Sequence, residues 1–117
     1  MITATQSALS ALQAFGTKLQ SNANNIANVS SEGFKKTRVT LTNQEPQGVK
    51  ASVDKIDTPG TMTPEQTSTG MELVELSNVD LGQELPEASI NSRFYQANLK
   101  TLQVADEMLG SLLKLKA

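Results

Sequence analysis

The best local pair of carboxylates in this chain is Asp106 with Glu107, and the nearest approach to a serine–lysine nucleophile is Ser31 with Lys35 and Lys36. General acid–base chemistry needs two such groups converging on one substrate atom. Adjacent residues of a helix point about 100° apart, so Asp106 and Glu107 read as a solvated helix face. Nothing around Ser31 in the sequence suggests a pocket or a water-excluding lid, and the cluster reads as an exposed loop. The chain contains no His and no Cys, which removes the commonest general base, the thiol nucleophile, disulfides and zinc sites built on imidazole or thiolate. The seven Gly never cluster ahead of a Lys and Ser or Thr, so no phosphate-cradling loop is present. The expectation is a protein that is not an enzyme, with no cofactor and no metal site.

The elements around these residues explain why. At 117 residues the chain is long enough for one domain. It is 38% hydrophobic but only 3% aromatic, so its core is aliphatic, as in helix bundles. The formal charge of -2 lacks the basic excess expected for nucleic-acid partners. No run of eighteen apolar residues predicts membrane insertion, and Met1–Gln6 does not open a cleaved secretory signal.

Lys18 is the sole charged residue in the first thirty-one, against fifteen uncharged polar residues. Leu12, Leu19 and Ile26 recur every seven residues, with Ile2 and Leu9, then Gly16 and Ala23, as the second series of a heptad. Ala8, Phe15 and Val29 widen the stripe. The pattern predicts a helix of about 27 residues and about 40 Å, stopping at Gly33. In the C-terminal segment Tyr95, Asn98, Leu102, Ala105, Leu109 and Leu112 alternate spacings of four and three, flanked by Leu85, Leu99 and Leu113. Asp80 or Ser77 is positioned to cap this helix, with Glu84 and Glu87 near its positive end and Lys114 and Lys116 near its negative end. Pro86, costing about 3 kcal/mol inside a helix, predicts a break between Leu81 and Glu87. Between the helices, alternation over Arg38–Asn43 and Gly48–Ile56 around Glu45–Gly48 predicts a β-hairpin. Asp57–Gly70 shows neither period and reads as an extended linker.

A helix facing water normally carries Glu and Lys, so a charge-poor N-terminal helix predicts a surface covered by neighbours. Asn98 at a heptad core position fits either register selection or a simple bond to a backbone carbonyl.

The run Ala23-Asn24-Asn25-Ile26-Ala27-Asn28, continuing through Gly33, Phe34 and Lys35, resembles the N-terminal ANNIANxxTxGFK signature of flagellar rod and hook proteins, with Ser31 where Thr is usual. Ser77–Leu81, followed by Arg93, Tyr95, Ala97, Asn98 and Ala105–Leu109, resembles the family's C-terminal half, SNVDL with QRxYxAN and ADEML. Pro86, Ser89 and Asn91 stand where that family usually has apolar or small residues, and Ser92 replaces the usual Gln, which weakens the start of the helix. The resemblance covers residues 1–38 and 77–117.

The resemblance implies a subunit of the flagellar basal body, in the rod that crosses the periplasm, most like a short proximal rod protein. It implies export through the flagellar type III apparatus and assembly with itself and other rod subunits into the axial drive shaft for motility. A hook-type or other axial component, or a small helical export chaperone or adaptor, is the alternative. The expected fold is mainly α: an N-terminal coiled-coil helix (1–33), a β-hairpin with linker (34–76) and a C-terminal coiled-coil helix (77–117), pairing antiparallel as one composite domain. Leu9, Leu12, Leu19 and Ile26 are expected to pack on Leu102, Leu109 and Leu112 within or between subunits, while Asn24, Asn25, Asn28, Tyr95 and Asn98 set register. When isolated, such a chain should be partly unfolded or form coiled-coil or domain-swapped oligomers.

Overall fold

The apolar heptads of the N-terminal segment form helix α1, Ile2–Ala27, in a computed structural model that describes residues 1–116. Its length matches expectation, but it stops at Asn28 and not at Gly33. The Asn28 side-chain amide donates to the Asn24 carbonyl at 2.9 Å, and its Oδ1 accepts from the Ser31 hydroxyl at 3.0 Å. These local bonds compete with helix continuation. Val29 therefore lies in the turn beyond the helix, and Gly33 closes that turn with φ +64°.

The predicted hairpin forms as β1 (Thr37–Asn43) and β2 (Val49–Lys55), antiparallel, with Val39 opposite Val53 and Leu41 opposite Ala51. It lies along α1, so the helix's own chain covers part of its charge-poor surface. Ser10 Oγ accepts the Val49 N–H at 3.1 Å, and the Ser21 hydroxyl lies 2.6 Å from the Thr37 hydroxyl. Gly48 is required at this contact. Its φ is +123°, and a Cβ there would lie 2.7 Å from Ser10 Oγ.

The linker expected over Asp57–Gly70 is corrected by the structure. A second antiparallel hairpin, β3 (Met62–Thr67) with β4 (Gly70–Glu75), occupies most of it. Pro64 sits within β3, which is tolerated because each strand of a two-stranded hairpin is an edge.

Helix α2 runs from Leu81 to Lys116 without interruption at Pro86, against the expected break. Pro86 is the sixth helical residue, so only one bond of the ladder, to the Gly82 carbonyl, is lost. The first turn is held independently: Asp80 Oδ1 caps the Gly82 N–H at 2.8 Å, and the Asp80 carbonyl accepts from Gln83 and Glu84 at 3.1 and 3.0 Å. Ser77 instead caps the local turn at Val79.

The two helices run antiparallel. Phe15 stacks on Phe94 with centroids 5.2 Å apart, Tyr95 lies 3.8 Å from the Cβ position of Gly16, and Lys18 pairs with Glu87 at 3.5 Å. In this register, residues of α2 beyond about Met108 extend past the start of α1. The molecule measures 79 × 24 × 20 Å, with a radius of gyration of 20.7 Å, against about 13 Å for a compact chain of this length. Among the described residues its buried apolar core is reduced to Ala8, Ala14 and Val39.

Candidate functional site

With so small an apolar core, buried hydrogen bonds position the elements. Asn22 on α1 donates from Nδ2 to Glu84 Oε2 at 2.8 Å, while Asn91 Nδ2 donates to Asn22 Oδ1 at 2.9 Å. All three are buried, Glu84 to 6% exposure. This chain of bonds ties α1 to two turns of α2 and satisfies each group, as buried polar atoms require. Asn25, at 0% exposure, bonds like a strand: Nδ2 donates to the Thr37 carbonyl and Oδ1 accepts the Thr37 N–H, both at 2.9 Å.

A second junction joins the segments after α1, after β2 and before α2. Asn78 Oδ1 accepts the Lys36 N–H at 2.7 Å, and its Nδ2 donates to the Ile56 carbonyl at 2.8 Å. Gly60 packs so tightly here that a Cβ would lie 1.9 Å from the Leu76 carbonyl oxygen, which admits no side chain. Lys35 bonds to Glu75, whose Oε1 also accepts the Gly60 N–H at 2.8 Å. The Lys35 bond first, then the Gly60 bond, holds the Glu75 carboxyl below its ordinary value of 4.5.

A lowered native pKa stabilises the fold above the unfolded value, and that stability is lost as pH falls through the native one. Acidification below about pH 4.5 is therefore expected to loosen this junction, read as faster amide exchange at Gly60. In Lys35→Met, that loss should begin at higher pH. Unchanged Gly60 protection through the acid range would refute the assignment.

The sequence-predicted residues fall into three groups. Leu12, Leu19, Ile26, Tyr95 and Leu102 are half-buried, and Asn25 is buried. Asn98 is half-buried and donates to the Phe94 carbonyl of its own helix at 2.8 Å, the simpler of its two expected roles. Asn28 and Asn24 bond to each other at 3.2 Å at the end of α1. Leu9, Leu109 and Leu112 are exposed, so the single chain does not bring these three into its helix pair. Sequence reasoning missed the roles of Asn22, Asn91, Asn78 and the Lys35–Glu75 pair. Glu84 was visible only as a charge suited to the helix start, and Asn91 only as a departure that weakens it.

The unoccupied surface is extensive. Along α2, Leu85, Ile90, Phe94, Leu99, Met108, Leu109 and Leu112 are exposed, with Leu113 at 70% and Leu115 at 84%. On α1 a strip of Ile2, Gln6, Leu9, Gln13, Gln20, Ala23, Asn24 and Ala27 is exposed and without charge, with Gln6 at its edge bonded to Gln47 in the turn of the first hairpin at 3.3 Å. Total accessible surface is 8073 Å², against about 6,200 Å² for a compact monomer of this mass. By contrast, the polar cleft between Lys18, Asn22, Arg38, Glu84 and Glu87 encloses only about 50 Å³, room for a water or two. Among the described residues no three of Asp, Glu, His or Cys gather as a metal site, and no helix is long and apolar enough to cross a membrane. What the geometry leaves open is this exposed apolar and uncharged surface.

Comparison with known families gives two matches. Residues 6–35 match the family model described as flagella basal body rod protein. Residues 72–115 match the one described as flagellar basal body rod FlgEFG protein C-terminal. No curated protein matches the chain.

Proposed function

Because the chain belongs to the flagellar basal body rod family, a structural family placed in the basal-body rod, we propose that it polymerises through its terminal helices into the axial drive shaft. The observation that carries this reading is the run of exposed leucines on α2 beside an uncharged exposed strip on α1. Monomeric proteins rarely expose contiguous apolar surface on this scale, and uncharged polar side chains are desolvated in an assembly at lower cost than charges. Residues 1–33, 34–76 and 77–117 act as one composite unit, with the heptad seams of α1 and α2 continuing as coiled-coil packing between subunits. Leu9, Leu109 and Leu112 pack on neighbouring subunits, and Leu12, Leu19, Ile26 and Leu102 serve the helix pair. Tyr95, against Gly16, holds its register, while Asn25 fixes α1 on the first hairpin and Asn24, Asn28 and Asn98 bond within their own helices. Its partners are other rod subunits and further copies of itself, and its route is the flagellar type III export apparatus.

Deleting the chain tests this directly. The expected strain is non-motile, with rods that stop short and no hooks beyond them. Complete basal bodies in that strain would overturn the proposal. An export adaptor would instead remain soluble, bound in fixed ratio to an export substrate.

A further inference from the structure

Glu84, Asn91 and Asn98 stand seven residues apart on the face of α2 that meets α1. Asn22 lies between the first two, donating to Glu84 and accepting from Asn91. Moved one heptad toward the C-terminal end of α2, about 10 Å, it would lie between Asn91 and Asn98. There it would make the same two bonds in the same sense, donating to Asn91 Oδ1 and accepting from Asn98 Nδ2. The Asn98 amide is available, because its present partner is the Phe94 carbonyl of its own helix. Glu84 would then lie past the end of α1 and return to water, which an ionised carboxylate favours.

The apolar seam accepts the same move. In the observed register Phe15 stacks on Phe94 and Tyr95 lies beside Gly16. A shift of seven puts Ala23, another small residue, beside Tyr95 and carries the first turns of α1 over Leu109 and Leu112, now 46% and 53% exposed. These leucines continue the seam that α1 already occupies, so the segment that fits them is the start of α1 itself. The move costs the phenylalanine stack and the partly exposed Lys18–Glu87 pair, both of modest worth. What bars it is the junction before α2. The first hairpin is bonded to α1 through Asn25 and Ser10 and travels with it, whereas Asn78 ties the base of that hairpin, at Lys36 and Ile56, to the start of α2. The Lys35–Glu75 bond fastens the same point. Once these open, segment 57–80 has chain enough to follow a shift of about 10 Å.

We propose that α1 has two registers on α2, one heptad apart, that Asn98 seats Asn22 in the second, and that the Asn78 junction latches the first. In the latched register Leu109 and Leu112 are open, and in the second α1 covers them, a bistable arrangement of one packed helix past another. That the second register withholds the chain from assembly rests on the polymerising role proposed above. The two registers themselves belong to the single chain.

The full-length chain has no cysteine of its own, so spin labels at the exposed positions Gln20→Cys and Ser111→Cys read the register by double electron–electron resonance. The chain with no further change should give one distance. With Asn78→Ala added, a second distance about 10 Å shorter is expected. Asn98→Leu in that same chain should cut the shorter population about tenfold, because Asn22 then loses a partner in the second register alone. Lys35→Met opens the junction from its other side and should produce the same short distance, and circular dichroism confirms both helices in every chain. A single unshifted distance in both Asn78→Ala and Lys35→Met would overturn the second register. A short distance indifferent to Asn98→Leu would overturn its seat. If the chain is found in isolated basal bodies and the distance never shifts, the switch falls and the subunit role stands. Two distances in a chain absent from basal bodies leave the switch standing and remove the role.

Discussion

Replacing Asn22 by alanine is expected to destabilise the chain by about 2 to 3 kcal/mol, more than any exposed leucine substitution. The reason is geometric. Asn22 is the middle of three buried groups, and among the described residues its amide is the only hydrogen-bond partner of the Glu84 carboxylate. Truncation leaves a buried acceptor and the Asn91 amide without partners, so the full desolvation cost of both appears. Glu84→Gln in the same chain should recover part of the loss, because a neutral amide is less costly to strand than a carboxylate. Urea unfolding followed by circular dichroism measures both, and the double-mutant cycle isolates the coupling. Additive losses from Asn22→Ala and Glu84→Gln would show that the two side chains do not act together.

The second prediction has the opposite form. Leu109→Ala, Leu112→Ala and Leu113→Ala together should leave the unfolding of the isolated chain nearly unchanged, within about 0.5 kcal/mol per site as for surface positions. These side chains are exposed, unlike the buried leucines whose truncation costs about 2 to 5 kcal/mol. In the rod, where neighbours cover them, the same triple variant should abolish incorporation and motility. A large fall in monomer stability would place these leucines in an intramolecular core instead. Normal motility would remove them from the assembly surface.

These contrasts show what could be read from sequence. Heptad spacing gave both helices, because a 3.6-residue apolar period survives even when the partner is absent. Alternation gave the first hairpin, whose Val39 and Leu41 face α1. The second hairpin escaped notice because, among the described residues, no other helix or strand packs on it. Without a buried face, Met62–Thr67 has no alternation to display, and Pro64 argued against a strand. Asn22, Glu84 and Asn91 escaped for a different reason. They lie 62 and 69 residues apart along the chain, and only the antiparallel register of the helices brings them together. The signature residues Asn25 and Asn78 were recognisable as a pattern. Their work as substitutes for backbone hydrogen bonds became visible only with the strands in place.

The most direct test of the rod-subunit assignment is a density map of the isolated basal body, resolved well enough to trace helices and labelled at the first hairpin. The account predicts this chain's long antiparallel helix pair in the rod wall, with Leu109, Leu112 and Leu113 of α2 covered by neighbouring subunits. A rod wall in which no density fits the pair, with the label recovered only in the soluble fraction, would contradict it.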